Sequence, residues 1–237
     1  MNIILFTEDE LNTPLSRRDR RAQHILKVLR LNTGDHFQLG LIDGPRGTAQ
    51  ITDITANEIA FATQLDKKVP NLYPIKMIIG LTRPRYARRI LKDLTSQGAS
   101  ELHFVATDTG EKSYLHSTLW SDENYQQHLI EGAEQAFCTR LPSVVVHTSL
   151  QACLNTLAID ANRIALDNYE ATHPIQDCTF LHKTTIVAIG SERGWSDAER
   201  DQFRTHQYTL ASMGKRVLKT ETASTAALAI ILSNLSL

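Results

Sequence analysis

The residues best suited to hold a small ligand lie near the end of the chain, in two glycine-containing loops. Gly190, Glu192 and Gly194 stand within IVAIGSERGWSDAER (Ile186–Arg200), and Gly214 and Arg216 within YTLASMGKRVLKTETASTAALAI (Tyr208–Ile230). Glycine removes the Cβ barrier, so the backbone N–H and C=O groups of such loops can approach a flat ligand. Neither loop is a standard phosphate cradle. The chain has no GxxxxGKS/T, and GSERG does not fit GxGxxG, which leaves kinase and Rossmann dehydrogenase readings little support. Each loop follows an apolar run and precedes a helix start, so two strand–loop–helix junctions are expected beside each other at one sheet edge. Open α/β sheets bind ligands in crevices beyond the carboxyl ends of their strands. A small cofactor is expected there.

Two basic stretches form a second kind of candidate. In SRRDRRAQHILKVLR (Ser16–Arg30) one acid, Asp19, stands among six Lys and Arg residues. On a helix capped by Ser16, Ala22, Ile25, Leu26 and Leu29 share one face, and Arg17, Arg20, Arg21 and His24 the other. With Lys27 and Arg30 this is the one-signed surface that contact with RNA phosphates needs. The second stretch is a helix over Arg85–Gln97, stopped by Gly98. Arg85, Arg88, Arg89 and Lys92 recur at helical spacing opposite Ala87, Ile90, Leu91 and Leu94, with Arg83 in the loop before them. This face either guides a polyanion toward the crevice or is a solvated surface.

The surrounding pattern separates two domains. Alternating stretches at His36–Leu41, Thr48–Ile54 and Glu58–Leu65, punctuated by Gly44-Pro45-Arg46-Gly47, suggest a small antiparallel barrel or meander. Lys67–Asn71 reads as a linker, and the boundary falls at residues 71 and 72. From Tyr73 strands alternate with helices: Ile75–Leu81, Leu102–Ala106, a helix over about Asp122–Phe137, Val144–His147, a short helix near Leu150–Leu157, and Ile164–Leu166. This order implies a mainly parallel sheet in an α/β domain.

Composition narrows the classes. Net charge is −1 and apolar content 42%, so nucleic-acid binding must come from local patches. No run approaches a membrane span. MNIILFTEDE lacks a basic n-region, so no signal peptide is expected and the cytoplasm is the expected location. Three scattered cysteines without CxxC spacing fit reduced thiols, and no metal site is expected.

The two loop segments resemble the last two motifs of the RsmE family, SPOUT-class methyltransferases that modify uridine N3 in small-subunit (16S) ribosomal RNA with S-adenosylmethionine. The family pattern is close to I-G-P-E-G-G-F/L-S followed by L-G-x-R-I/V-L-R-T-E-T-A. Gly190, Glu192, Gly194 and Ser196 match the first; Gly214, Arg216, Val217, Leu218, Thr220, Glu221, Thr222 and Ala223 match the second. HILKVLRLNTGD (His24–Asp35) is similar to the family's N-terminal PUA-like barrel. GAEQAFCTRLPSV resembles a further segment through Glu134, Gln135, Arg140 and Pro142. Departures are Ser191 for Pro, Arg193 for Gly, and Tyr86, Arg88, Asp93 and Ser96 where the family carries Lys and Glu.

The resemblance implies residues 1–71 as a PUA-like RNA-binding barrel and 72–237 as a trefoil-knotted SPOUT domain. Leu166, Ile189, Gly190, Glu192, Gly194, Leu210, Gly214, Val217, Leu218, Thr222 and Ala223 would hold S-adenosylmethionine. Uridine N3 must lose a proton, so Arg216 is expected to stabilise the anion, with Glu192 or Glu221 as base or structural tie. The target would be small-subunit rRNA or the assembled subunit, gripped by Arg17, Arg20, Arg21, Lys27, Arg30, Arg83, Arg85, Arg88 and Arg89. A homodimer is implied, and the last helix, apolar nearly all round, suits it or burial within its own domain. A SPOUT enzyme for another RNA, or an RNA-binding relative without turnover, is the alternative.

Overall fold

The computed structural model describes residues 3–11, 13–121, 124–157 and 160–235, and the chain divides into two compact units. The first comprises the residues up to Asn71 together with Ala133–Leu141. Its elements are strands β1 (Ile4–Phe6) and β2 (Leu15–Ser16), a one-turn helix α1 (Arg20–Gln23), and strands β3 (His36–Leu41), β4 (Arg46–Ile54) and β5 (Glu58–Lys67). They form one sheet in the order β1-β3-β4-β5-β2, antiparallel except for β1 on β3. Along β4, Ala49 and Ile51 point inward and alternate with polar neighbours, the two-residue period of a half-buried strand. The β4–β5 register shifts twice, and such bulges raise twist and curl a sheet. Phe6, Ile25, Leu39, Ile51 and Ile59 fill the concave side.

Three sequence expectations change here. Ser16 lies in a strand, and Asp19 caps the helix by accepting from Arg21 N at 2.7 Å. Past Gln23 the expected helix widens to a π-helical turn over His24–Val28, so Leu29 is partly exposed while Ala22 and Ile25 stay buried. The Ala133–Leu141 return, which the sequence expectation put in the second domain, is held in the first unit. Arg46 Nη1 donates to Phe137 O (2.6 Å), Thr139 Oγ1 to Gly44 O (2.6 Å) and Arg140 Nη1 to Asp43 O (2.7 Å).

The second unit comprises Leu72–Gly132 and the chain from Pro142 on. It contains β6 (Tyr73–Gly80), α2 (Pro84–Ser96), β7 (Ala99–Val105), most of α3 (Gln126–Gln135), β8 (Ser143–His147), α4 (Leu150–Leu154), β9 (Asn162–Leu166), β10 (His173–Pro174), β11 (Thr185–Ile189), α5 (Asp197–Thr205), β12 (Thr209–Ser212) and α6 (Thr220–Asn234). Asp122, where the sequence reading begins α3, lies outside the described residues. The strands make a parallel sheet in the order β10-β12-β9-β11-β6-β7-β8. β11 is buried at all five positions, the continuous apolar run of a central parallel strand. α2 buries Ala87, Ile90, Leu91 and Leu94 and packs on α6. This arrangement sets the C-terminal ends of β9, β11 and β12 side by side. No described helix is long and apolar enough to cross a membrane.

Candidate functional site

A cleft opens beyond those three strand ends. Its walls are Leu166–Tyr169 after β9, Ile189–Gly194 after β11, and Met213, Arg216–Leu218, Thr220 and Ala223 after β12. Of the residues expected to bind a cofactor, Leu166, Ile189, Gly190, Glu192, Gly194, Val217, Leu218 and Ala223 line it. Leu210 is buried in β12 beneath it, Gly214 is on the exposed loop, and Thr222 is exposed on the first turn of α6. Val217 is 78% exposed, Tyr169 76% and Leu218 37%, so apolar surface rims a floor of backbone groups.

The loop after β11 is built tightly. Gly194 N donates to Ser191 O at 2.9 Å, and Gly194 takes a φ of 71°, which glycine adopts without strain. Thr107 Oγ1 donates to Ser191 Oγ (3.1 Å) and Thr109 Oγ1 to Gly194 O (3.1 Å). Ser191, where the family carries Pro, is therefore buried and hydrogen-bonded through its hydroxyl. Arg193 is exposed. Ser196 and Glu199 form a capping box on α5, and Glu199 also accepts from Asp108 N at 3.0 Å. Burial pushes the Glu199 carboxyl above the usual range.

The three candidate catalytic residues separate. Arg216 lines the cleft, is exposed, and has no ion-pair partner among the described residues. Glu192 lines it too, with Oε1 accepting from Thr82 Oγ1 (2.5 Å) and Arg83 N (3.4 Å). Glu221 sits on the first turn of α6 outside the cleft lining.

In the wall after β9 the sequence reading named Leu166 but not the turn that follows it. Asp167 is 5% exposed; its Oδ1 accepts from Tyr169 N (2.8 Å) and Glu170 N (2.6 Å), and its Oδ2 from Arg200 Nε (2.9 Å). The only local signal was an Asp at the start of DNYE. Its partner Arg200 lies far along the chain on α5.

The basic residues also divide. Arg17, Arg20, Lys27 and Arg30 are exposed on the first unit, with Arg17 donating to Thr55 O and Arg20 3.4 Å from Glu134. Arg21 is held differently from the others. Its guanidinium is paired with Glu10 (2.6 Å) and Asp19 (2.9 Å), lies 4.7 Å from the Phe6 ring centroid, and lowers both carboxyls below their usual range. Arg83, Arg85, Arg88 and Arg89 are exposed on the second unit, Arg85 stacking on Tyr86.

Among the described residues, His103, His147 and Cys153 bring three potential metal ligands within 4.8 Å of one another. His103 Nδ1 and His147 Nε2 share a hydrogen bond (3.0 Å) and His103 Nε2 meets Glu101 (3.1 Å). Burial lowers both histidines and pushes the Cys153 thiol up to about 12, which favours a neutral hydrogen-bonded core chain.

Comparison with known proteins matches residues 69–232 to an RNA methyltransferase domain and residues 18–62 to an RNA methyltransferase PUA domain. The chain is 37% identical over 99% of its length to a ribosomal RNA small subunit methyltransferase E of Treponema pallidum, covering 91% of that protein. It is 30% identical to ribosomal RNA small subunit methyltransferase E 1 of Borreliella burgdorferi, over 99% of each. Its fold is similar to the crystal structure of a ribosomal RNA small subunit methyltransferase E from Neisseria gonorrhoeae bound to S-adenosyl methionine. The TM-score is 0.78 at 20% identity, covering 99% of this chain and 98% of that one.

Proposed function

The chain belongs to the ribosomal RNA small subunit methyltransferase E family of RNA methyltransferases, and on that premise we propose that its cleft uses S-adenosylmethionine to methylate N3 of a uridine in small-subunit rRNA. The observation that carries this reading is the make-up of the cleft. Backbone groups at Gly190 and Gly194 lie between the apolar rim of Val217, Leu218 and Tyr169, with two exposed cations, Arg193 and Arg216, on the walls. That mixture suits a ligand that is part flat purine, part charged chain. When bound, S-adenosylmethionine supplies the methyl group, activated on a sulfonium.

The chain's own residues do the rest. Uridine N3 carries a proton at neutral pH, and attack requires an anion. Arg216 stabilises that developing charge once ligand binding orders its loop, because a cation held in a partly dry cleft acts more strongly than one in water. Glu192 lines the cleft while Glu221 does not, so Glu192 is the proton acceptor, through the oxygen not engaged by Thr82 and Arg83. N3 lies on the Watson–Crick edge, so the target base is unpaired or extruded before reaction. The exposed arginines at 17, 20, 83, 85, 88 and 89, with Lys27 and Arg30, grip RNA phosphates. Residues 1–71, with Ala133–Leu141, act as the RNA-binding domain and the rest of 72–237 as the knotted methyltransferase domain, working in the cytoplasm on rRNA or the assembled subunit.

The family's homodimer fits α6. Thr220, Ser224, Ala227, Leu228 and Ile231 are buried, whereas Ala226, Ile230 and Leu232 are only half-buried in one copy. A second copy would cover them, and light scattering on the eluting protein reads this directly.

The test is transfer of labelled methyl from S-adenosylmethionine to small subunits lacking the native modification, with reverse transcription mapping the stop an N3-methyl group makes. One new stop at a uridine supports the reading. Cofactor binding with no label on subunits or rRNA overturns it. The Arg216→Met variant is expected to bind cofactor and lose turnover.

A further inference from the structure

Tyr169 is a large ring left 76% exposed on a turn that is otherwise fixed with unusual completeness. Asp167 Oδ1 accepts from the N–H groups of Tyr169 and Glu170, closing the turn. Asp167 Oδ2 receives Arg200 Nε at 2.9 Å, and both residues are 5% exposed. Arg200 Nη1 also donates to Asp197 Oδ1 at 2.7 Å, and its guanidinium lies 5.1 Å from the centroid of the Tyr169 ring. The carbonyl just before Asp167, Leu166 O, accepts from Trp195 Nε1 at 3.0 Å. Across the cleft, a Cβ at Gly194 would lie 4.0 Å from Tyr169 Cε2, so the ring stands over the glycine loop.

A buried ion pair is a poor way to add stability, since apolar side chains of the same size do as well. What it supplies is geometry, and here that geometry ends on one aromatic ring at a cleft mouth. We propose that Tyr169 is a cofactor-contacting residue that forms a wall for S-adenosylmethionine, and that the Asp167–Arg200 pair positions it. The guanidinium at the ring and the two N–H bonds into Asp167 fix both the ring and the turn that carries it. An aromatic wall held in place before binding loses little freedom when the cofactor arrives. The inference rests on the methyltransferase reading of the same cleft.

The experiment is calorimetric titration of S-adenosylmethionine into the full-length protein, alongside thermal unfolding without ligand. Wild type is compared with Y169L, Y169F, R200M and the double variant R200M/Y169L. Y169L alters an exposed residue, so its unfolding midpoint is expected to stay at the wild-type value while affinity falls about ten-fold. Y169F is expected to bind within about two-fold of wild type, because the ring is retained. R200M weakens binding, and the double variant is no weaker than Y169L, because Arg200 acts through the ring. Y169L binding as tightly as wild type would overturn the proposal, as would additive losses in the double variant. Wild type failing to bind would instead remove the methyltransferase reading, and this proposal with it.

Discussion

The two glycine loops of the cleft look alike in sequence and are built on opposite principles. In the loop after β11, a Cβ on Gly190 would come within 2.9 Å of Gly194 Cα, and the loop is tied outward to Thr82, Thr107 and Thr109. In the loop after β12, a Cβ on Gly214 would meet nothing within 4 Å. Residues 214–219 are exposed, and 214–218 make no hydrogen bond found among the described residues. The first loop needs Gly190 because backbone crowds it and Gly194 for a φ of 71°; the second needs Gly214 only for a φ of 98°. The first is a preformed wall. The second carries Arg216 and Val217 and is free to be ordered by what binds.

The largest effect is expected where the closed loop leans on the sheet. A Cβ at Gly80 would sit 2.3 Å from Ser191 N and 2.9 Å from Gly190 C, both backbone atoms that cannot swing aside. G80A is expected to lose about 3 kcal/mol of stability and to lose S-adenosylmethionine binding, read by chemical denaturation and calorimetry. A wild-type denaturation midpoint for G80A would break the comparison at its base.

G214A tests the open loop and comes next. Space is available, so the cost is the left-handed backbone alone, about 1–2 kcal/mol. G214N should recover part of it, because Asn tolerates that conformation better. If G214N is as damaging as G214A, crowding rather than backbone sign governs this loop too.

These distinctions mark what the sequence could carry. The junction after β11 was legible because a β-branched run, a glycine and the cap Ser196 all occur within a few residues, and the one after β12 because a short apolar run and Gly214 precede an apolar helix. The apolar stripe of α2 was legible for the same local reason. The turn at Asp167 was not, because its meaning depends on Arg200 on another element. The pairing of Arg21 was not legible because its partner Glu10 lies outside the helical repeat being read. Ser16 misled because a backbone pairing, Arg17 N to Asn57 O, claims the chain for a strand edge before the helix begins. Periodicity reports local faces; it does not report which distant acid neutralises which cation.

A smaller effect is expected at Thr82, which is buried and gives its hydroxyl to exposed Glu192. T82V keeps the shape and removes the bond, and Glu192 can turn to water. The expected loss is about 1 kcal/mol, with weakened turnover because Glu192 loses its tie. Unchanged turnover would mean that the closed loop holds its wall without this bond.

The smallest effect is a slope. Glu199 accepts from Asp108 N and Ser196 N beneath the closed loop, and burial raises its carboxyl above 4.5. A carboxyl with a raised folded value holds its proton more tightly in the native state. Its favourable contribution is therefore full below about 4.5 and is lost as pH rises through the folded value. E199Q cannot titrate, and it also gives up one acceptor, so the offset from wild type combines two changes. The pH dependence of that offset contains only one of them. The unfolding midpoint of E199Q minus that of wild type is expected to climb as pH rises above 4.5 and then level off. A difference that stays flat would mean water reaches Glu199 in solution, and the wall that looks closed opens as readily as its neighbour.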